Sequence, residues 1–339
     1  MFVRAAFDPM QSKPRKSGKP RQSCKPAAPA QSPKARAVPS CGLVCGDVID
    51  TLDRLPSGVT FDLVIADPPY NIGKDFGNES DRLPLADYLQ WSQQWLARCL
   101  DRLSENGLIY VYGFPEILAR IAAHHPIDQQ RWLVWHYINK AVPSSTFWQR
   151  SHESILCLWR GGRRPVLEID QIREPYTDGY QKCIGRTRAG TDSRYGGQRG
   201  RRTTYRNHGG ALPRDVIKIP ALAGGAGASE RWFLCRDCGR RVYPPAQIKN
   251  HRGHDILKHP TQKPMALTRR LIASKMNGGG GRVLIPFAGS GSECLVAQQM
   301  GYDWLGIELN REYVAFATQW LEQIEQSIAC DAQDRTKIK

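Results

Sequence analysis

The stretch that most constrains this chain is a run of apolar residues cut short by two prolines. Phe61-Asp62-Leu63-Val64-Ile65-Ala66 places five apolar side chains in six positions, the pattern of a strand buried on both faces rather than half exposed. Asp67-Pro68-Pro69-Tyr70 then ends it. Neither proline can donate to a ladder, each fixes its own φ, and each pushes the residue before it toward extended geometry. The expected product is a stiff rim at the carboxyl end of a central strand, carrying a carboxylate and an aromatic ring. In open α/β sheets that rim is where ligands bind. In isolation the same residues also suit a plain Pro-Pro turn with a surface Asp, so the rest of the chain has to decide.

The chain has 339 residues, 41% of them hydrophobic, enough for one large domain with insertions or for two domains. A net charge of +16 exceeds what solubility needs and points to a polyanionic partner, most often nucleic acid. The ten cysteines form no regular framework, as expected for reduced thiols in an intracellular protein. No apolar run reaches membrane-spanning length and no signal-peptide core is present, so a soluble cytoplasmic protein is expected.

Residues 1–40 are rich in Pro, Lys, Arg, Ser and Ala and read as a disordered basic tail. A fold then begins near Cys41. Short elements at 43–47 and 48–55 precede the strand at 61–66, and the polar stretch Asn71 to Ser80 reads as a mobile loop. Apolar residues from Leu85 to Leu103 recur at helical spacing, with Asn106-Gly107 as the expected stop, before strands at 108–112, 132–138 and 154–159. Between 161 and 258 the character changes. Arg173, Arg186, Arg188, Arg194, Arg199, Arg201, Arg202 and Arg206 crowd a glycine-rich stretch poor in aliphatics, which reads as an insertion outside the core fold. Regular patterning resumes at His259-Pro260-Thr261-Gln262-Lys263-Pro264, which opens a helix. A strand at 283–285, the turn Pro286-Phe287-Ala288-Gly289-Ser290-Gly291, a helix through 295–300 and a strand at 304–307 ending in Glu308 follow. The last helix is expected from about Asn310 to Ile328, and 330–339 form a C-terminal tail.

Strand, glycine turn, helix, strand and acidic residue make a βαβ nucleotide-binding unit. Gly289 and Gly291 allow close backbone approach, and Glu308 can accept hydrogen bonds from two ribose hydroxyls. The third glycine of a dinucleotide fingerprint is replaced by Cys294. That disfavours a pyrophosphate ligand, and with it a Rossmann oxidoreductase, and suits the nucleoside of S-adenosylmethionine.

Asp67-Pro68-Pro69-Tyr70, followed by His259 to Pro264 and Phe287 to Gly291, resembles the DNA amino-methyltransferases of restriction–modification systems. The order is the beta arrangement, in which the catalytic motif precedes the cofactor motif. Asp67 to Ile72 and Arg173-Glu174-Pro175-Tyr176 look most like adenine-N6 members of the GAATTC type. The resemblance implies a seven-stranded, mostly parallel α/β sheet of the S-adenosylmethionine-dependent methyltransferase type, split over 41–160 and 259–329, with 161–258 as an inserted target-recognition region. It implies Asp67 as the catalytic carboxylate, with the Pro68 carbonyl beside it and Tyr70 stacking on a flipped base. Asp47, Lys263, Pro264, Phe287, Gly289, Gly291 and Glu308 would hold the cofactor, and Phe147 or Trp148 would supply a second ring near the base. Double-stranded DNA is the implied partner, in a bacterial, phage or mobile-element setting. A homodimer is an expectation of the resemblance alone.

The chemistry fits. An exocyclic amine is a poor nucleophile because its lone pair is delocalised. A rigid pair of acceptors on its two hydrogens would pyramidalise the nitrogen and aim the lone pair at the methyl group. A cytosine-C5 enzyme needs a Pro-Cys nucleophile, which this sequence lacks. Cytosine-N4 relatives usually begin the motif with Ser, so Asp67 favours adenine. An inactive DNA-binding protein on the same fold is the alternative of another class.

Cys235-x2-Cys238-x12-His251-x2-His254 departs from that family pattern. The spacing resembles a Cys2His2 zinc finger, one residue short at the last histidine. A structural zinc ion at 235–254 is expected to brace the recognition insertion, with His259 as an alternative fourth ligand.

Overall fold

The main sheet grows from short strands whose side chains are buried on both faces. A computed structural model describes residues 41–74, 81–139, 144–189, 202–223, 230–231, 233–242 and 250–322. The basic tail, the tip of the loop after Tyr70, Arg194, Arg199, Arg201 and the end of the last helix lie outside the described residues.

Strands β1 (Gly42–Cys45), β2 (Phe61–Ala66), β3 (Leu103–Gly113), β4 (Gln130–His136), β5 (His152–Leu158), β8 (Val216–Lys218), β12 (Arg282–Ile285) and β13 (Asp303–Glu308) form one sheet. Their order is β1-β13-β12-β2-β3-β5-β4-β8. Only β5 runs antiparallel to its neighbours; the other pairings are parallel. This is the mostly parallel α/β sheet expected from the sequence. It has eight strands instead of seven, because Val216–Lys218 pairs with β4 at the edge. That corrects the reading of 161–258 as wholly outside the core. Ile172, Ile217 and Ala221 are buried in the main apolar cluster, and the Trp135 indole donates to the Ile219 carbonyl at 2.8 Å. Arginine density described the average of the stretch and concealed this short apolar segment.

Helices α1 (Val48–Asp53), α2 (Leu85–Asp101) and α3 (Pro115–Ala122) cover one face. Helices α5 (Met265–Ala273), α6 (Ser292–Gln299) and α7 (residues 311–322) cover the other. A four-residue helix α4 (Asp178–Gln181) and the hairpin β6 (Thr187–Ala189) with β7 (Arg202–Thr204) lie in the arginine-rich region. A separate ribbon of β9 (Phe233–Cys235), β10 (Arg240–Val242) and β11 (Ile256–Lys258) has the order β10-β9-β11.

In β2, Leu63 and Ile65 face one cluster while Val64 and Ala66 face the other, as strand periodicity requires. Phe61 falls out of that alternation because the register with β3 shifts between Phe61 and Leu63. The same irregularity corrects the expected helix stop: α2 ends at Asp101, and Asn106-Gly107 lies inside β3. The turn-forming pair signals the irregular ladder, not the helix end. Helix α3, opened by Pro115 at its first turn, was not foreseen.

The chain moves outward from β2 through α2 to β3 in one direction and from β12 through α6 to β13 in the other. The adjacent carboxyl ends of β2 and β12 are therefore a topological switch point, where a ligand crevice forms. Gly306 on β13 lets α6 pack closely on the sheet, beside Leu43 of the neighbouring strand β1. A β-carbon there would stand 2.6 Å from Cys294 Sγ and 2.9 Å from Leu43 Cδ1. Gly306→Ala is therefore expected to destabilise the protein by about 1–3 kcal/mol through overpacking, measured by denaturant unfolding. An unchanged midpoint would contradict the tight approach of α6 to β13.

Candidate functional site

Asp67 follows β2 directly, and the turn 286–291 follows β12, so sheet pairing alone brings the two motifs together. They share a cleft of about 920 Å³, counted to its open mouth, whose walls include Asp47, Trp91, His259, Lys263, Glu293 and Glu308.

At one end stands the glycine turn. Glu308 accepts from the Gly289 N–H through Oε2 and from the Asn310 N–H through Oε1, both at 2.7 Å. A carboxylate has about four lone-pair sites, so acceptor capacity remains for ligand hydroxyls. Asp47 caps α1, accepting from the N–H groups of Ile49 and Asp50, and lines the cleft. Phe287 packs edge-on to Trp95 with ring centroids 5.0 Å apart and meets Trp91 at 5.7 Å. Gly289 has φ 51°, and a β-carbon on it would strike the His259 ring. That ring is half-buried against Tyr313, and desolvation together with the Lys263 charge pulls the imidazole down to about 3, leaving it neutral. Gly291 has φ 81° and is packed by Ala317. Neither Gly291 nor Pro264, which opens α5 and accepts from the Leu267 and Thr268 N–H groups, is part of the cleft wall. Both shape the chain behind it.

At the other end is a buried charge cluster. Lys263 donates to both oxygens of Asp67 at 2.7 Å, and its Nζ lies 3.7 Å from Glu153 Oε2. The Tyr70 hydroxyl stands 2.9 Å from Asp67 Oδ1 and 3.0 Å from Glu153 Oε2, with a single proton to share between them. Burial raises the Asp67 carboxyl and outweighs the opposing pull of Lys263. Burial alone would lower the Lys263 ammonium, but the charges of Asp67 and Glu153 leave it raised. Glu293, in the first turn of α6, is pushed up to about 7 by burial and by the Asp67 charge.

Lys263 thus sits on the carboxylate expected to be catalytic, and at the same time on the cleft wall. Pro68 and Tyr70 are buried and lie outside the cleft wall, and the Tyr70 ring packs against Phe114 with the Lys263 ammonium 5.1 Å from its centroid. Phe147 and Trp148 are exposed on the segment before β5. Sequence reading passed over Glu153 and Glu293. For Glu153 the available signal was a carboxylate at the start of a strand that runs on into the apolar Ile155-Leu156-Cys157-Leu158, since an acid is buried only when paired.

The loop after Tyr70 is pinned at its base. Buried Asp81 accepts from the N–H groups of Asn71, Ile72 and Lys74, and Asn71 takes φ 58°. Further along, Tyr176 and Tyr180 stack with centroids 4.5 Å apart, and Arg188 lies over the Tyr205 ring. Together with His208 and Arg214, the tyrosine pair borders an open groove.

Cys235, Cys238, His251 and His254 converge, with their ligand atoms all within 4.8 Å of one another. His254 Nδ1 is 3.3 Å from both sulfurs, and His251 Nδ1 is 3.9 Å from Cys238 Sγ. Bond lengths of about 2.3 Å to sulfur and 2.0–2.1 Å to nitrogen give tetrahedral edges of roughly 3.4–3.8 Å, so the set fits a zinc ion. His259 lies in the cleft wall instead.

Comparison with known proteins agrees with this geometry. A family model described as DNA methylase matches residues 61–319. The chain is 27% identical over 286 residues to the Type II methyltransferase M.HpaI of Haemophilus parainfluenzae, covering 83% of this chain and 74% of the relative. It is 25% identical to the DNA adenine methyltransferase YhdJ of Escherichia coli, over 88% of this chain and 87% of the relative. The PvuII cytosine-N4-specific DNA methyltransferase shares the fold with a TM-score of 0.52 at 15% identity, over 81% of this chain and 84% of that one. A chain with these two motifs on adjacent strands, matched by the family model over most of its length, belongs to the DNA methylases that comprise the adenine-N6 and cytosine-N4 amino-methyltransferases of restriction–modification type.

Proposed function

We propose that this DNA methyltransferase transfers a methyl group from S-adenosylmethionine to the exocyclic N6 amine of an adenine flipped out of double-stranded DNA. The observation that carries the reading is the single cleft that has Glu308 at one end and Asp67 at the other.

Glu308, Asp47 and Phe287 suit the nucleoside, with Gly289 permitting the approach. The bound cofactor supplies a methyl group already activated on a sulfonium. The charge cluster is built for a cation: three carboxylates, Asp67, Glu153 and Glu293, lie around the ammonium of Lys263. Asp67 accepts one amine hydrogen and the Pro68 carbonyl the other, which pyramidalises the nitrogen. One of the hydrogen bonds from Lys263 or Tyr70 to Asp67 has to yield as the base enters, and Glu153 is placed to keep both donors engaged. When the N–C bond forms and the methyl leaves sulfur, the nitrogen carries one proton too many. Asp67, with its carboxyl raised by burial, is suited to take it.

Asp67 at the head of the motif, and the similarity to a DNA adenine methyltransferase, favour adenine. Cytosine-N4 would be served by the same amine chemistry. The arginines and stacked tyrosines of 161–258 suit phosphate contact and base reading in DNA. A structural zinc ion on Cys235, Cys238, His251 and His254 completes the reading.

Asp67→Ala is expected to lower methyl transfer from labelled cofactor to plasmid DNA by at least about 10²–10³-fold while S-adenosylmethionine still binds. Glu153 remains to balance Lys263 in that variant. Activity near wild type would refute the assignment.

Glu293 links affinity to pH. With its native pKa raised to about 7 from 4.5, the fold favours the protonated form, so a stability cost appears above pH 4.5 and is complete above pH 7. Glu293→Gln is expected to stabilise the free enzyme at pH 8 by up to about 3 kcal/mol and to change little at pH 4.5. A cationic ligand offsets that cost. Affinity for S-adenosylmethionine is thus expected to rise from pH 6 to pH 8 more steeply than affinity for uncharged-sulfur S-adenosylhomocysteine, and the difference should vanish in Glu293→Gln. Parallel pH profiles in the wild type would contradict the inference that Glu293 meets the cationic sulfur of the cofactor.

A further inference from the structure

Four residues separate His254, a candidate metal ligand, from His259, which lies beneath the glycine turn of the cleft. The span includes β11, which pairs with β9 so that Ile256 faces Cys235 and Lys258 faces Phe233. The strand that leaves the metal cluster is therefore the one that delivers His259 and Lys263 to the cleft.

Other bonds tie the ribbon to the same place. Arg236, between the two cysteines, donates to Glu312 on α7 at 2.8 Å. Arg241 lies over the Trp320 ring at 5.0 Å, and the Tyr313 hydroxyl donates to the Lys258 carbonyl at 3.5 Å. On the other side of the ribbon, Glu230 precedes β9. Its carbonyl accepts from the Gln262 side chain at 2.6 Å, and its carboxylate accepts from the Met265 N–H at 3.0 Å. The segment 259–265 is thus held at its start by β11 and at its end by Glu230, and β9 and β11 are pinned to each other at the Cys/His cluster. In the ribbon strands only Cys235, Val242 and Leu257 are buried among the described residues. Three such residues give the ribbon little core of its own, so its geometry rests on these peripheral bonds and on whatever holds the Cys/His cluster together.

We propose that zinc bound by Cys235, Cys238, His251 and His254 is a positioning element of the methyl-transfer site. By fixing β9 against β11 it sets where His259 stands against Gly289 and where Lys263 stands against Asp67. Its role is to hold the clamp on the catalytic carboxylate, in addition to any support it gives the recognition region. This inference rests on the methyltransferase and zinc readings above.

The test uses the full-length protein, with metal content, methyl transfer, S-adenosylhomocysteine binding and duplex binding measured separately. Wild type is expected to carry one zinc per chain. Substituted Co²⁺ should show the absorption of a tetrahedral site with thiolate ligands. Cys238→Ser, at the exposed cysteine, should lose the metal, keep the far-ultraviolet circular dichroism of the main sheet, and lose S-adenosylhomocysteine affinity and turnover by about tenfold or more. Chelator-stripped wild type should show the same losses and recover on adding zinc, which separates metal loss from misfolding of the variant. Wild type that neither carries nor takes up zinc would sink the metal assignment. A zinc-loaded protein whose stripping lowers only duplex affinity, with turnover and S-adenosylhomocysteine binding unchanged, would overturn the coupling to the cleft. If zinc-loaded wild type neither transfers methyl groups nor binds S-adenosylhomocysteine, the methyltransferase reading itself has failed, and this inference falls with it.

Discussion

One buried ion pair, Lys263 on Asp67, joins the two halves of the catalytic fold across 196 positions of sequence. Removing both groups from water is costly, and the pair persists because Lys263 reaches both carboxylate oxygens and Glu153 adds a second negative charge. Deleting one partner of such a pair costs about 3–5 kcal/mol when nothing replaces it. Here the cluster is redundant: Glu153 can hold Lys263 and the Tyr70 hydroxyl whenever Asp67 turns to a substrate. The geometry that preorganises Asp67 is also one that can release it.

That pair depends on the order of the strands. Inserting β12 between β13 and β2 puts two loop motifs from opposite ends of the chain at neighbouring carboxyl ends. Val283 and Leu284 of β12 pair with Leu63 and Val64 of β2, so the distance from Gly289 to Asp67 is set by backbone hydrogen bonds rather than by flexible side chains. His259, neutral and half-buried, fills the space that a β-carbon at position 289 would need. The cleft is thus shaped in part by residues with no chemistry of their own.

Much of this was legible in the sequence because it rests on local rules. Five apolar residues before Asp67-Pro68-Pro69-Tyr70 specify a buried strand with a rigid rim, and Gly289, Gly291 and Glu308 specify a tight glycine turn beside a strand-end carboxylate wherever the rest of the sheet lies. Glu293 was not legible, since its burial exists only after α6 packs on β12 and β13, and for Glu153, on a strand that pairs with β3, only the acid leading into an apolar run could be read. Lys263 was read as a cofactor residue from its segment. Its hold on Asp67 is a tertiary contact that no spacing encodes. The edge strand at Val216–Lys218 was hidden by the arginines around it, and the Asn106-Gly107 turn signal was spent inside β3. The Cys/His cluster was readable as ligand spacing, but its bonds to α7 and to residues 262 and 265 were not.

The central claim is that Asp67, held at this rim, activates the amine of adenine. Nucleoside analysis of unmodified plasmid DNA after incubation with the wild-type protein and labelled S-adenosylmethionine tests it most directly. The account expects the label in N6-methyladenine, at a defined sequence site. Label in N4-methylcytosine would keep the amine chemistry and overturn the adenine assignment, and the absence of label from any base would contradict the account as a whole.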